Sequence, residues 1–254
     1  MRPYPNAAIV AVDRAGRVSP LAVPTQSYSP TLDLAPDGRR LAVVTRDIRE
    51  QILWIVETSR GTLARLPGGG EPSWPRWTPD GQRVAFSRLA SGVRELVWQQ
   101  ADATAAAEPL ARGAHVPSSW SPDGQHLATV LDDDIWIVTV AGATPTVERL
   151  SETPEFERWP EFSPDGRWLA YGSNTTGRSE IYVQPGQAGV RGSKCRLREA
   201  KTPPGTPMGA SCSSCLGSTA RVDGACGPST CRRARGCAPE LRDVSSTSPR
   251  LISG

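Results

Sequence analysis

Apolar residues in this chain come in short runs. Each run is closed by Gly, Pro, Asp, Asn or Ser, and no window keeps the helical spacing for about a dozen residues. One set of runs reads Leu41-Ala42-Val43, Val84-Ala85-Phe86, Leu127-Ala128-Thr129 and Leu169-Ala170-Tyr171. A second set follows each of these: Ile52–Val56, Glu95–Trp98, Ile135–Val138 and Ile181–Val183. A large residue precedes each pair (Leu34, Trp77, Trp120, Phe162), and a short segment ending in Leu66, Leu110 or Leu150 closes the unit. Short, β-branched or aromatic runs bounded by turn residues predict strands, about four to a unit.

The units repeat. Pro-Asp-Gly recurs at Pro36, Pro79, Pro122 and Pro164, at intervals of 43, 43 and 42 residues. In this triplet proline presets the first turn φ, Asp37, Asp80, Asp123 and Asp165 tolerate the second, and Gly38, Gly81, Gly124 and Gly166 accept the positive φ that returns the chain as a hairpin. These eight residues are therefore predicted to be turn formers rather than catalytic groups. Four short strands per unit of this length predict propeller blades. The small residue between two large ones (Ala42, Ala85, Ala128, Ala170) would let neighbouring blades approach. The predicted fold is all-β: an incomplete β-propeller of about four recognisable four-stranded blades, followed by an irregular or disordered tail. Residues 7–23 are expected to supply closing strands of a preceding blade, and the front of the ring is expected to be missing.

Trp120–Ala128 and Phe162–Tyr171, the latter followed by Ser173-Asn174 and Gly177–Val183, resemble the repeat of TolB-like propellers, a repeat found also in tricorn-type and prolyl-oligopeptidase-type peptidases. The segments Val10–Arg17 and Glu180–Pro185 are similar to propellers at the C-terminus of bacterial serine/threonine protein kinases. The resemblance covers residues 7–185. It implies a non-catalytic, WD-like tandem repeat acting as a sensory or scaffold module of a larger bacterial protein such as a kinase-linked propeller. The alternatives it implies are a propeller gating a peptidase domain and a periplasmic translocation scaffold.

Composition changes at residue 186. All eight tryptophans, four tyrosines and three phenylalanines precede it, and residues 1–185 carry a net charge of −4. Residues 186–254 hold all six cysteines and a net charge of +7. The chain therefore divides into a partial propeller, 1–185, and a Cys/Arg/Gly/Pro-rich tail of low order, 186–254. Cys212-Ser213-Ser214-Cys215 with Cys226, Cys231 and Cys237 is a poor zinc set, because no second Cys-x-x-Cys or paired His completes it. A disordered basic linker is a second reading. A third is a frameshifted continuation of the propeller: the interval places the next Asp-Gly near Pro207-Met208-Gly209, where a frame shifted by one base reads Gly. On that third reading the tail packs against nothing.

No Gly-x-Ser-x-Gly, Walker loop, kinase catalytic signature or His-Glu-x-x-His occurs, so enzymatic activity, catalytic residues, cofactors and metals are not expected. His126, just before a strand in the slot of Arg40, Arg83 and Trp168, reads as a solvated strand residue, and His115 as an unremarkable residue of the loop before Trp120. Asp132-Asp133-Asp134 reads as a solvated loop rather than a Ca²⁺ site. The tail's basic residues lack interleaved aromatics, which argues against nucleic acid, and no stretch approaches the roughly 18 apolar residues of a membrane span. With no signal peptide, a cytoplasmic location is the default, and a periplasmic one follows if the true start lies upstream. A protein or peptide partner is expected at the loops joining units. Trp74, Arg76 and Trp159, in or beside those loops, are the candidate contacts.

Overall fold

The structure, a computed structural model, describes residues 5–46, 50–150, 155–186, 195–197 and 250–253. All of its regular structure is β. The first four-stranded sheet is β3 (Tyr28–Leu34), β4 (Arg40–Arg46), β5 (Gln51–Glu57) and β6 (Leu63–Leu66). The second is β7 (Glu71–Trp77), β8 (Arg83–Ala90), β9 (Val93–Gln100) and β10 (Glu108–Arg112). The third is β11 (Val116–Trp120), β12 (His126–Leu131), β13 (Asp134–Thr139) and β14 (Thr146–Arg149). The fourth is β15 (Glu157–Phe162), β16 (Trp168–Ser173), β17 (Glu180–Pro185) and β18 (Cys195–Leu197). Each sheet is an antiparallel meander, and the first strands of successive sheets lie against one another, β3 on β7, β7 on β11 and β11 on β15. These four blades form the incomplete β-propeller.

A fifth sheet draws on both ends of the chain. β1 (Ile9–Val12) pairs with β2 (Val18–Pro20) on one edge and with β19 (Arg250–Ser253) on the other. Ile9 of this sheet is buried with Tyr28, Leu41, Val43 and Val56 of the first blade. The expectation that nothing beyond residue 185 packs is thereby corrected: Cys195–Leu197 completes blade four on β17, and Arg250–Ser253 pairs with β1. Backbone pairing needs only an extended segment with free N–H and C=O groups, so a composition without aromatics does not prevent it. The cysteine cluster 212–237 and the shifted Asp-Gly at 207–209 lie outside the described residues.

Three kinds of contact join neighbouring blades, the first and third at all three boundaries and the second at two. First, the small residue of each blade is sealed under the large residue of the next. Ala42, Ala85 and Ala128 are fully buried, in clusters with Trp77, Trp120 and Phe162 respectively. Second, the side chain just before the large residue accepts that next blade's backbone N–H. Trp77 N donates to Asp33 Oδ2 at 2.7 Å, and Phe162 N to Ser119 Oγ at 3.0 Å. Third, each turn proline packs on the next turn's glycine. A Cβ on Gly81, Gly124 or Gly166 would stand 3.7, 3.6 or 3.2 Å from Cδ of Pro36, Pro79 or Pro122.

The turns themselves follow the predicted chemistry. Gly38, Gly81, Gly124 and Gly166 have φ of 68°, 66°, 70° and 70°. Each turn aspartate accepts, through Oδ1, the N–H two residues on. In the last three turns a preceding hydroxyl, Thr78, Ser121 or Ser163, also donates to it; Ala35 leaves the first turn without that bond. The Ser163 hydroxyl, the Arg167 N–H and the Arg167 guanidinium hold the Asp165 carboxyl down at about 2.

Candidate functional site

The residue before each large one occupies the same register position in all four blades. Asp33 pairs with Ala42, Arg76 with Ala85, Ser119 with Ala128 and Glu161 with Ala170. These four side chains, with Trp77, Pro79, Ser118 and Trp120, line one pocket of about 370 Å³. A pocket walled by the first strands of four consecutive blades lies on the inner side of the propeller, where the strand ends converge.

Its polar groups are strongly coupled. Arg76 Nε donates to the Ser118 carbonyl at 2.7 Å, while its Nη1 stands 3.9 Å from Asp33 Oδ1. Trp77 Nε1 donates to the Asp33 carbonyl at 3.1 Å. Burial pushes the Asp33 carboxyl up, against the pull of Arg76 and of the Trp77 N–H. Glu161 is exposed as a residue, yet desolvation by the protein around it raises its carboxyl too, with Asp33 adding to the rise and Arg76 and a Ser119 hydrogen bond opposing it. Trp120 is buried and lines the pocket, and its Nε1 has no hydrogen-bond partner among the described residues. A buried N–H without an acceptor costs free energy until something supplies one. The pocket thus offers two carboxylates with raised affinity for protons and one guanidinium.

Arg76, one of the three residues expected to meet a partner, is in this pocket. The other two, Trp74 and Trp159, sit not on loops but within β7 and β15, three residues before the large residue. The pairing of the first two strands shifts there in every blade, between Tyr28 and Leu32, Ser73 and Arg76, Pro117 and Ser119, and Arg158 and Glu161. Trp74 and Trp159 are the bulge residues of their blades, with φ of 56° and 54°. A left-handed backbone is unfavourable for a bulky side chain, and bulges re-aim side chains out of the sheet. Both rings are exposed, 42% and 72%. Trp74 borders a second cleft of about 280 Å³, between blades one and two, with Ser29, Arg46, Glu71 and Arg94. Trp159 lies over Gly172, where a Cβ would be 3.3 Å from its Cε3.

The remaining polar residues singled out in the sequence are used structurally. His115 is buried, with Nδ1 2.9 Å from Thr129 Oγ1 and its ring edge-on to Trp136, and burial lowers its pKa against the pull of Asp132. His126 Nδ1 is 3.0 Å from Thr139 Oγ1. Asp133 and Asp134 pair with Arg158 and Arg149 at 2.7 and 2.6 Å. Among the described residues no group of three or more His, Cys, Asp or Glu is arranged to hold a metal, and no helix is long and apolar enough to cross a membrane. Sequence reading passed over Asp33, Ser119 and Glu161. The signal was there: they share one repeat position, and polar residues just before the large apolar residue of each repeat call for an explanation.

Residues 72–196 match the TolB beta propeller domain family. The chain is 35% identical over 114 residues to the Tol-Pal system protein TolB of Bordetella pertussis, covering 42% of this chain and 26% of that protein. It is 26% identical over 189 residues to the uncharacterized peptidase YuxL of Bacillus subtilis, covering 56% of this chain and 29% of that protein. It therefore spans less than a third of the length of either relative. The solved structure of a putative TolB from Agrobacterium tumefaciens superposes with a TM-score of 0.61 at 19% identity, over 77% of this chain and 70% of that one. The repeat, the four meander blades and these similarities converge on one assignment: the chain carries a TolB-like β-propeller.

Proposed function

We propose that this chain is a non-catalytic binding module whose four-blade pocket, with the bulge tryptophans Trp74 and Trp159 on the same first strands, takes a protein or peptide partner. The observation that carries this reading is the concentration of polar groups in the pocket. Asp33 and Glu161 face the single guanidinium of Arg76. A partner strand or loop brings a Lys, Arg or N–H donor for Glu161. Exposed aromatics beside such polar anchors supply contact area at low entropic cost. A random-peptide display library selected on the immobilised full chain tests this. Selected peptides should lose at least about tenfold in affinity on Glu161→Gln and on Trp74→Ala, as for centrally buried contacts. Peptides that bind both variants as tightly as the parent refute the site.

The second reading is a propeller that gates a peptidase domain. It is supported by the similarity to YuxL, described as a peptidase. A requirement of a separately supplied peptidase domain for this chain, lost on Arg76→Ala, would favour it over the first.

A further inference from the structure

The cleft beside Trp74 lies between blades one and two and shares no residue with the four-blade pocket. Both first strands lose their regular pairing there. The break in β3 runs from Tyr28 to Leu32 and that in β7 from Ser73 to Arg76, so Ser29 and Thr31 line one side and Trp74 the other. Ser29 Oγ and Thr31 Oγ1 are hydrogen-bonded at 3.0 Å. Across the gap Gln51 Nε2, of blade one, donates to Glu71 Oε2, of blade two, at 3.3 Å. Arg46 is the register partner of Gln51, and Arg94, on β9, is that of Leu89, which also pairs with Glu71. Both guanidinium-bearing residues line the cleft. Trp74 holds a backbone φ of 56°, a conformation that disfavours a bulky side chain. Its indole is exposed, and among the described residues no aromatic ring or guanidinium stacks on it.

We propose that this cleft binds a sugar acid, a pyranose ring bearing a carboxylate. Three features of the lining set that chemistry. Arg46 and Arg94 are cationic and donate only, and against the one carboxylate of Glu71 they leave the cleft one positive charge in excess. Glu71 accepts only, so the ligand has to donate hydrogen bonds as well as carry a negative charge. An acidic side chain or an inorganic anion would meet Arg94 and be repelled by Glu71. The open indole face takes an apolar surface. One pyranose ring answers all three: its axial C–H groups lie on Trp74, its hydroxyls donate to Glu71 and exchange hydrogen bonds with Ser29 and Thr31, and its carboxylate accepts from Arg94 in a charge-assisted pair. The cleft volume of about 280 Å³ suits one such ring, near the lower end of small-molecule sites.

Methyl β-D-glucuronide is the probe, with methyl β-D-glucoside as the same ring without the carboxylate and acetate as the carboxylate without the ring. Followed by saturation-transfer NMR on the full-length chain, the glucuronide should bind with a dissociation constant of about 1 mM, as for a ligand of its size at ordinary efficiency. The glucoside and acetate should each bind at least about tenfold more weakly, one lacking the charge-assisted pair and the other the stacked ring. Trp74→Ala and Arg94→Ala should each weaken the glucuronide at least about fivefold. Both residues are exposed, so both variants should keep the parent far-UV circular dichroism spectrum. On the parent chain itself, the axial protons of one ring face should receive most of the transferred saturation. Glu161→Gln tests the peptide site separately, so either site can fail without the other. No saturation at about ten times the expected constant, glucoside or acetate binding as tight as the glucuronide, or uniform transfer around the ring overturns the proposal. A glucuronide affinity unmoved by Trp74→Ala or by Arg94→Ala overturns it as well.

Discussion

Replacing Ile135 or Ile181 with Ala removes the same three carbons from the same repeat position, and only the neighbouring blade differs. Ile135 is 0% exposed, in a cluster with Phe162, Leu169 and Tyr171 of blade four. At about 0.8 kcal/mol per buried carbon, the lost transfer term is about 2.4 kcal/mol. A partly collapsed cavity brings the expected cost of Ile135→Ala to about 3–4 kcal/mol. Ile181 is 45% exposed, so about half the transfer term applies and no closed cavity forms, which leaves about 1 kcal/mol for Ile181→Ala. Urea titration followed by tryptophan fluorescence, with the slope checked for constancy, measures both changes. In thermal scans the difference between the variants should be several degrees, at about 2–4 °C per kcal/mol for a chain of this size. Equal costs would show that blade four's far face is covered as fully as the others. A cost below about 1 kcal/mol for Ile135→Ala would show that blades three and four are not stacked, and the propeller assignment would go with it.

The other expected outcomes can be read in the same assays. Gly166→Ala places a side chain at φ 70° and 3.2 Å from Pro122, whereas Gly177→Ala, at φ 79°, meets nothing within 4 Å; the first should therefore cost more, about 2–3 kcal/mol against about 1. His115 is held neutral by burial, with its folded pKa below 6.5, so the unfolded chain takes the proton first. The stability it contributes is complete above about pH 6.5 and falls as the pH drops below that; the urea midpoint should decline on acidification to about pH 5, and less steeply in His115→Gln. An equal slope in both proteins would refute the buried, neutral imidazole. Deleting Arg250–Gly254 leaves β1 and β2 as a two-stranded ribbon, marginal on its own, so limited proteolysis should then cut first between residues 5 and 27. A cleavage pattern unchanged from the parent would show that β19 does not hold β1.

Much of the blade was legible because each rule needed is local. Pro-Asp-Gly presets its turn whatever surrounds it, and an apolar run flanked by turn residues has only one extended form to adopt. The turn glycines at Gly81, Gly124 and Gly166 accordingly appear with the φ that the triplet implies. Residue Trp74 shows where local reading stops. Its exposure comes from a bulge set by the pairing of β7 with β8, and nothing in Ser73-Trp74-Pro75 by itself specifies that shift of register. The composition break at residue 186 misled in a related way. Cys195–Leu197 and Arg250–Ser253 pair through the backbone with the edges that β17 and β1 present.

By itself the sequence determined the repeat, its turn chemistry, the β class and the small residues that let sheets approach, since all of these follow from spacing and from the φ preferences of Pro, Asp and Gly. Tertiary structure alone decided which polar side chains share a pocket. Asp33, Arg76, Ser119 and Glu161 are separated by more than forty residues each, and only the stacking of consecutive blades brings one from every unit to a common wall. The same stacking decided that Ile181, chemically identical to Ile135, is the one left facing solvent: burial belongs to the boundary between two blades, and a residue cannot specify its neighbour's presence.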